Sequence, residues 1–386
     1  MVSRVKQLVV YALSPLLLLS FVGQLARAED AHASGWSLLN MTEGVTGVSH
    51  DIYDLHMTVV WICVWISVVV YGVMFYSMFA HRKSRGAKAS NFHESTVVEL
   101  LWTIVPVLIL IWVAFPSTRV LIDLYDTSEA DIDIKVTGYQ WKWQYEYLGE
   151  GVEFMSELTT SEAAIYNLEP KTEYYLSEVN EPLVLPIGKK VRFLLTAKDV
   201  IHAWWVPELG VKRDAVPGFI NETWAKIDEP GIYRGFCAEL CGKGHAFMPI
   251  VVNAVSEEEY AVWLAAKKEA AAAQREMAKQ SFTFEQLMAK GEESYNRSCA
   301  GCHAANGEGI PGAFPALKGS AVALGPVAKH LDVVVNGTAG TAMQAFGGQL
   351  SEVDLAAIIT YERNAWGNDV GDMVQPIDVL KFKQGQ

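Results

Sequence analysis

Three uninterrupted apolar runs fill the first third of the chain, and a two-residue alternation replaces them beyond it. The first run, Leu8 to Val22, lies behind Arg4 and Lys6 and ahead of Ala26-Arg27-Ala28. A basic start, a short apolar core and an A-x-A site predict a secretory signal peptide over 1–28, an uncleaved anchor being the alternative. The second run, Met57 to Ala80, carries no charge and is long enough to cross a bilayer. The third, Leu100 to Thr118, matches it, with Pro106 inside as membrane helices tolerate. A hairpin over 44–120 follows, with helices at about 57–80 and 98–118; a hairpin in a soluble core is the alternative. Arg82, Lys83, Arg85 and Lys88 crowd the connecting loop. Positive charge marks the cytoplasmic side, so both ends of the hairpin face outward. Everything after Arg119 is then expected on the periplasmic face of a bacterial inner membrane.

Past the hairpin, Trp141, Trp143, Tyr145 and Tyr147 alternate with Lys142, Gln144 and Glu146, the period of a strand with one aromatic face. Leu183–Pro186, Val191–Thr196, Ile232–Phe236 and Ile250–Val255 read as further strands. Short strands between turn signals predict a small all-β sandwich or barrel over 131–255. From 256 to 280 the chain is rich in Ala, Glu and Lys without Gly or Pro, which predicts a helical, semi-rigid linker. Residues 281–370 read as a second compact, helical unit, closed by a helix from Ser351 to Trp366, and 371–386 as a tail. The formal net charge of -13 disfavours nucleic acid as a partner.

Four of the five cysteines fall into two groups with metal-ligand spacing. One is Cys237-x₃-Cys241-x₃-His245-x₂-Met248, on the loop between the last two strands, with His202 upstream. Thiolates, imidazoles and a thioether together suit copper. Two thiolates on one tight loop can bridge a copper pair, with His202 and His245 as terminal ligands. Met248 and a backbone carbonyl, that of Glu239, complete the set as weak ligands. A Cys₂His₂ zinc site gives Met248 no role, and a Cys237–Cys241 disulfide suits the metal-free chain in an oxidising compartment.

The other group, Cys299-Ala-Gly-Cys302-His303, is a haem c attachment sequence: two thioethers to the porphyrin and an adjacent axial imidazole. Met343 is the expected opposite ligand, because a thioether keeps the potential high. Met373 and His330 are rivals, His330 being expected on a helix surface. Cys63, in the first membrane helix, reads as packing.

Several segments carry a resemblance. Glu99-Leu-Leu-Trp-Thr-Ile-Val-Pro, Asp199-Val-Ile-His-Ala-Trp-Trp-Val-Pro-Glu-Leu-Gly, Lys212-Arg-Asp-Ala-Val-Pro-Gly and Cys237-Ala-Glu-Leu-Cys-Gly-Lys-Gly-His-Ala-Phe-Met-Pro resemble cytochrome c oxidase subunit II, from about Gly44 to Val255. Phe284 to about Asn368 resembles the small cytochrome c domain fused to that subunit in caa-type oxidases. The resemblance implies a cupredoxin fold with a dinuclear CuA centre and a haem c. It implies that Glu239 also offers its carboxylate to a magnesium ion shared with subunit I, that electrons enter through Trp141, and that Glu99 lies at the mouth of a proton channel. Residue 142 departs from the family, being Lys where relatives often carry an aromatic, and Phe219 stands where many carry Arg. The implied path runs from an upstream donor to haem c, to CuA and to haem a of subunit I, where oxygen is reduced to water and protons are pumped. A quinol-oxidase-type subunit would lack the copper ligands. A protein like nitrous-oxide reductase would need a large further domain and no paired membrane helices.

Overall fold

The computed structural model describes residues 39–88, 91, 93–338 and 341–385; the signal-peptide expectation over 1–28 lies outside the described residues. Two long helices come first, α1 (Gly47–Ala80) and α2 (Thr96–Tyr125), with mean hydropathies of 2.3 and 2.4 in their most apolar stretches. Both exceed their apolar runs, and in α1 capping and not hydropathy sets the start. Thr46 and Ser49 form a reciprocal capping box, and the turn carrying His50, Asp51 and Asp54 is therefore helical. Large apolar side chains such as Trp65, Val69, Trp112 and Phe115 point outward on both helices, as a bilayer or a partner helix requires.

Ten strands follow: β1 (Ile132–Tyr139), β2 (Lys142–Tyr147), β3 (Val152–Ser156), β4 (Leu183–Pro186), β5 (Lys190–Ala197), β6 (His202–Val206), β7 (Val211–Ala215), β8 (Asn221–Lys226), β9 (Gly231–Cys237) and β10 (Pro249–Val255). They form two sheets, β3-β2-β1-β5-β8 and β4-β10-β9-β6-β7. A one-turn helix, α3 (Glu162–Ile165), lies in the excursion between β3 and β4. Alternation along β2 buries Trp143, Tyr145 and Tyr147 and leaves Lys142, Gln144 and Glu146 on the outer face. These aromatics meet Phe193, Leu195, Trp204, Ile250 and Val252 in the sandwich core. Trp141 departs from the expected pattern: it precedes β2 in a turn and leaves the inner face.

Both membrane helices are stitched to the sandwich. Thr46 Oγ1 donates to the Leu209 carbonyl (3.1 Å) at the head of α1, and Trp224 Nε1 donates to the Asp123 carbonyl (3.0 Å) at the foot of α2.

The linker helix, α4 (Glu257–Met277), does not stand clear as a spacer. Tyr260, Trp263 and Leu264 pack on the sandwich core, with Trp263 against Tyr147 and Phe154. Lys267 pairs with Glu181, Lys268 with Glu150, and Arg275 donates to the Gly151 carbonyl. Positions 260, 263, 264 and 267 fall on one side of a helix, which is why a sequence reading as polar on average docks.

The C-terminal unit contains α5 (Phe284–Ser298), the single turn α6 (Ala300–His303), α7 (Val327–Asn336), α8 (Glu352–Asn364) and α9 (Pro376–Lys383). Leu287 of α5, Leu331 and Val334 of α7, Leu355 and Ile359 of α8, and Val379 of α9 share one core. Helix α9 occupies the stretch read as a tail. Pro376 at its start and the buried Val379 fold it back onto α8, so the compact unit continues beyond residue 370.

Candidate metal and haem sites

Strand β9 ends at Cys237, and a tight loop returns the chain to β10 at Pro249, so Cys241, His245 and Met248 must all lie near the mouth between these strands. His202 opens β6, which pairs with β9, and thereby reaches the same point. The two sulfurs stand 3.8 Å apart and unbonded. Nδ1 of His202 is 3.9 Å from Cys237 Sγ, and Nδ1 of His245 is 3.5 Å from Cys241 Sγ. The Met248 sulfur is 3.5 Å from Cys241 Sγ, and the Glu239 carbonyl oxygen 3.3 Å from Cys237 Sγ. His202, Cys237, Cys241 and Met248 are buried, whereas the Glu239 side chain is exposed. All six groups named from the sequence therefore converge, Glu239 through its backbone.

The electrostatics suit a cation. Burial acts to raise the Cys237 thiol, but His202 and the backbone at Ala203 and Glu239 outweigh it and hold Cys237 low. Burial, and the charge on Cys237, push the Cys241 thiol up. Two thiols this close resist ionising together unless a metal joins them. The buried thioether beside them favours a soft ion over a zinc site, so the donor set fits copper.

Two neighbours to which the sequence reading gave no role, Asp199 and Gln140, hold this cluster together with Trp141. Asp199 Oδ1 lies 2.8 Å from His202 Nε2, which turns Nδ1 toward the sulfurs. Gln140 and Trp141 both donate to the Cys241 carbonyl, at 2.8 and 3.1 Å. Gly244 allows this, because a Cβ there would fall 2.2 Å from the Trp141 ring. Asp199, three residues before His202, was within reach of sequence reasoning as an i, i+3 partner; Gln140 carried no such signal.

In the C-terminal unit, Cys299 caps α5, and the Cys302 amide donates to the Cys299 carbonyl at 3.1 Å, so one turn carries both thiols and His303. His303 Nδ1 lies 2.8 Å from the Pro315 carbonyl. Nδ1 must be the protonated nitrogen there, which leaves Nε2 as a lone-pair donor for iron. These features fit a covalent haem. Met343 is half-buried at the edge of the unit's core, while Met373 is 47% exposed. His330 is not on a surface: it is 2% exposed on the packed side of α7, and its Nε2 lies 2.7 Å from Glu362 Oε2. The buried carboxylate satisfies Nε2 and holds the ring inside, while Nδ1 has no hydrogen-bond partner among the described residues.

Glu99 occupies the first turn of α2, exposed, and accepts the Ser95 amide at 3.3 Å. It is far in sequence from the metal-site residues and fits an N-terminal helix acid locally.

Family models match three stretches: "Cytochrome C oxidase subunit II, transmembrane domain" over 34–120, "Cytochrome C oxidase subunit II, periplasmic domain" over 132–255, and "Cytochrome C oxidase, cbb3-type, subunit III" over 286–361. A probable cytochrome c oxidase subunit 2 of Rickettsia bellii is 38% identical over 226 residues, 58% of this chain and 82% of the relative. Cytochrome c oxidase subunit 2 of Cereibacter sphaeroides is 37% identical over 230 residues, 56% of this chain and 76% of its own. The crystal structure of the periplasmic domain of subunit II of the Bradyrhizobium japonicum cytochrome oxidase is 41% identical, with a TM-score of 0.34, covering 37% of this chain and 97% of that one.

Proposed function

Since the chain belongs to the cytochrome c oxidase subunit II family, a component of the haem–copper oxidoreductase complexes, we propose that it is the electron-accepting subunit of a caa-type oxidase. It spans the membrane by two helices and carries a cytochrome c unit of its own. Copper and haem, when bound, supply the one-electron carriers; the chain supplies their ligands and their spacing.

His202, Cys237, Cys241, His245 and Met248, with the Glu239 carbonyl, would hold the copper pair of a CuA centre. Cys299 and Cys302 would hold the haem covalently, and His303 and Met343 would supply the side-chain donors to its iron. The Glu239 carboxylate is offered to a magnesium ion shared with subunit I. Trp141, in hydrogen-bonding contact with the Cys241 carbonyl, is where electrons enter the copper unit. Glu99 lies at the mouth of a proton path. Electrons arrive from an upstream cytochrome or other respiratory donor. They leave for subunit I, which reduces oxygen to water and pumps protons. The setting is a bacterial inner membrane, with both redox units on its periplasmic side and other oxidase subunits around the hairpin.

The observation that carries this reading is the pair of buried sulfurs 3.8 Å apart with an imidazole Nδ1 turned to each. A quinol-oxidase-type subunit has no use for that arrangement. The test is ligand-specific. Cys241→Ser abolishes the mixed-valence EPR signal and lowers the copper-to-iron ratio, whereas Met248→Leu retains copper with an altered spectrum. An undiminished signal in Cys241→Ser would sink the assignment.

A further inference from the structure

The loop between α7 and α8 does more than present Met343. Phe346 and Gly347 donate their amides to the carbonyls of Val334 and Val335, at 2.9 and 3.0 Å, which fixes the loop to the haem unit. Its next residue, Gly348, leaves that unit and meets the outer face of the copper unit. The Gly348 carbonyl lies 3.5 Å from Gln144 Nε2. A Cβ on Gly348 would come within 3.1 Å of that nitrogen and 3.6 Å of the Tyr139 hydroxyl.

Gln144 connects onward on both sides. Tyr139 donates to Gln144 Oε1 at 3.1 Å, and Gln144 Nε2 lies 3.4 Å from Glu153. Beside them, the Lys383–Glu352 pair (2.8 Å) of the haem unit lies close enough for both charges to act on Glu153. Tyr139 is only 3% exposed, so a phenol at a sheet end is covered from both sides. Behind it, Gly138 packs flat on the His202 ring, where a Cβ would fall 2.8 Å from the imidazole.

We propose that Tyr139, Gln144 and Glu153 form a docking socket for the haem unit's own Gly348 loop, which joins the two redox units at the His202 side of the copper cluster. The contact is a bonded and van der Waals route: Gly348 to Gln144, Gln144 to Tyr139, then through Gly138 to His202. It runs beside the entry at the Trp141 indole, so the docked haem unit has a second approach to the cluster. This rests on the reading of the chain as a two-centre electron carrier. The outer-face residues Gln144 and Glu153 serve as positioning groups in it, since neither touches a metal ligand. The linker holds the partners at high effective concentration, so a weak polar contact is enough to set the docked population.

The test uses the assembled full-length oxidase with two variants, Gln144→Ala on the copper unit and Gly348→Leu on the haem unit. Both changes are at the surface of their units, and the copper-to-iron ratio checks that both centres are loaded. Amide exchange by mass spectrometry reads protection of 139–156 and 343–352, and flash photoreduction of the haem by a ruthenium complex reads the rate at which the copper band responds. Each variant should raise exchange in both stretches and slow copper reduction about fivefold, the scale of one lost hydrogen bond. Exchange raised only in the stretch that carries the substitution, or parental exchange and parental rates, overturns the docking socket. Failure of the parental haem to reduce the copper at all would instead overturn the two-centre reading.

Discussion

Met343 and Met373 are both thioethers after the haem attachment sequence, and their surroundings separate them. Met343 lies in a loop pinned by the Thr338 amide, which donates to its carbonyl at 2.9 Å, and packs at the edge of the apolar core. Met373 is exposed, with the Gln375 amide nitrogen 3.4 Å from its sulfur. A thioether held out of water raises a haem potential, and a solvated one does so less. Met343→Ala is therefore expected to keep the covalent haem on Cys299 and Cys302, lose the low-spin Met-ligated spectrum and lower the midpoint potential. A redox titration with an unchanged midpoint would move the role to Met373. At this scale the converging donors and their spacings were readable in the sequence, because soft donors on one loop have few other uses. The residues that orient them were not. Gln140 acts on a backbone carbonyl 101 residues away, and His330 shows its carboxylate partner only once α7 and α8 are packed together.

Helix α8 depends on an acid in its first turn. Asp354 is partly buried, which acts to raise its carboxyl, but the hydroxyls of Ser351 and Ser294 and the Lys290 ammonium outweigh burial and hold it below the ordinary 3.8. Those bonds, at 2.6 Å to Ser351 and 2.7 Å to Ser294, cap α8 and tie it to α5. A depressed carboxyl contributes stability that is fully present above its unfolded value and is lost as pH falls through its folded value. Asp354→Asn should destabilise the C-terminal unit by about 1–2 kcal/mol at pH 7. The gap between parent and variant should close on acidification below pH 3.8, as denaturant titrations at both pH values would record. A constant gap would mean the loss is one of packing. Half of the strands were legible, β2 through its alternation, and apolar length gave the cores of α1 and α2; β1, β3, β6, β7 and β8 were not read. Two features of the helices were missed as well, for one physical reason. The docking side of α4 and the returning α9 each rest on a few residues, Trp263 and Leu264 in one and Val379 in the other, within sequence that is polar on average.

At the scale of the whole molecule, two redox units follow a membrane hairpin on one chain. Removing 281–386 should leave the copper content and its EPR signal intact, because the copper ligands and the core behind them lie between 134 and 260. Reduction of the copper by the natural donor should slow, and stopped-flow mixing with that donor would measure it; equal rates with and without the haem unit would show that the donor reaches the copper directly. The docked linker helix has a further consequence. Since α4 is fastened to the sandwich as far as Arg275 and α5 starts at Phe284, the stretch that connects the two helices is only residues 278–283. Six residues reach at most ~20 Å, even fully extended. A haem unit on so short a leash cannot visit a neighbouring complex, however crowded the membrane. Each copper centre is then served by one haem alone, and the handover between them is indifferent to dilution: thinning the complexes in added lipid would leave its rate where it was.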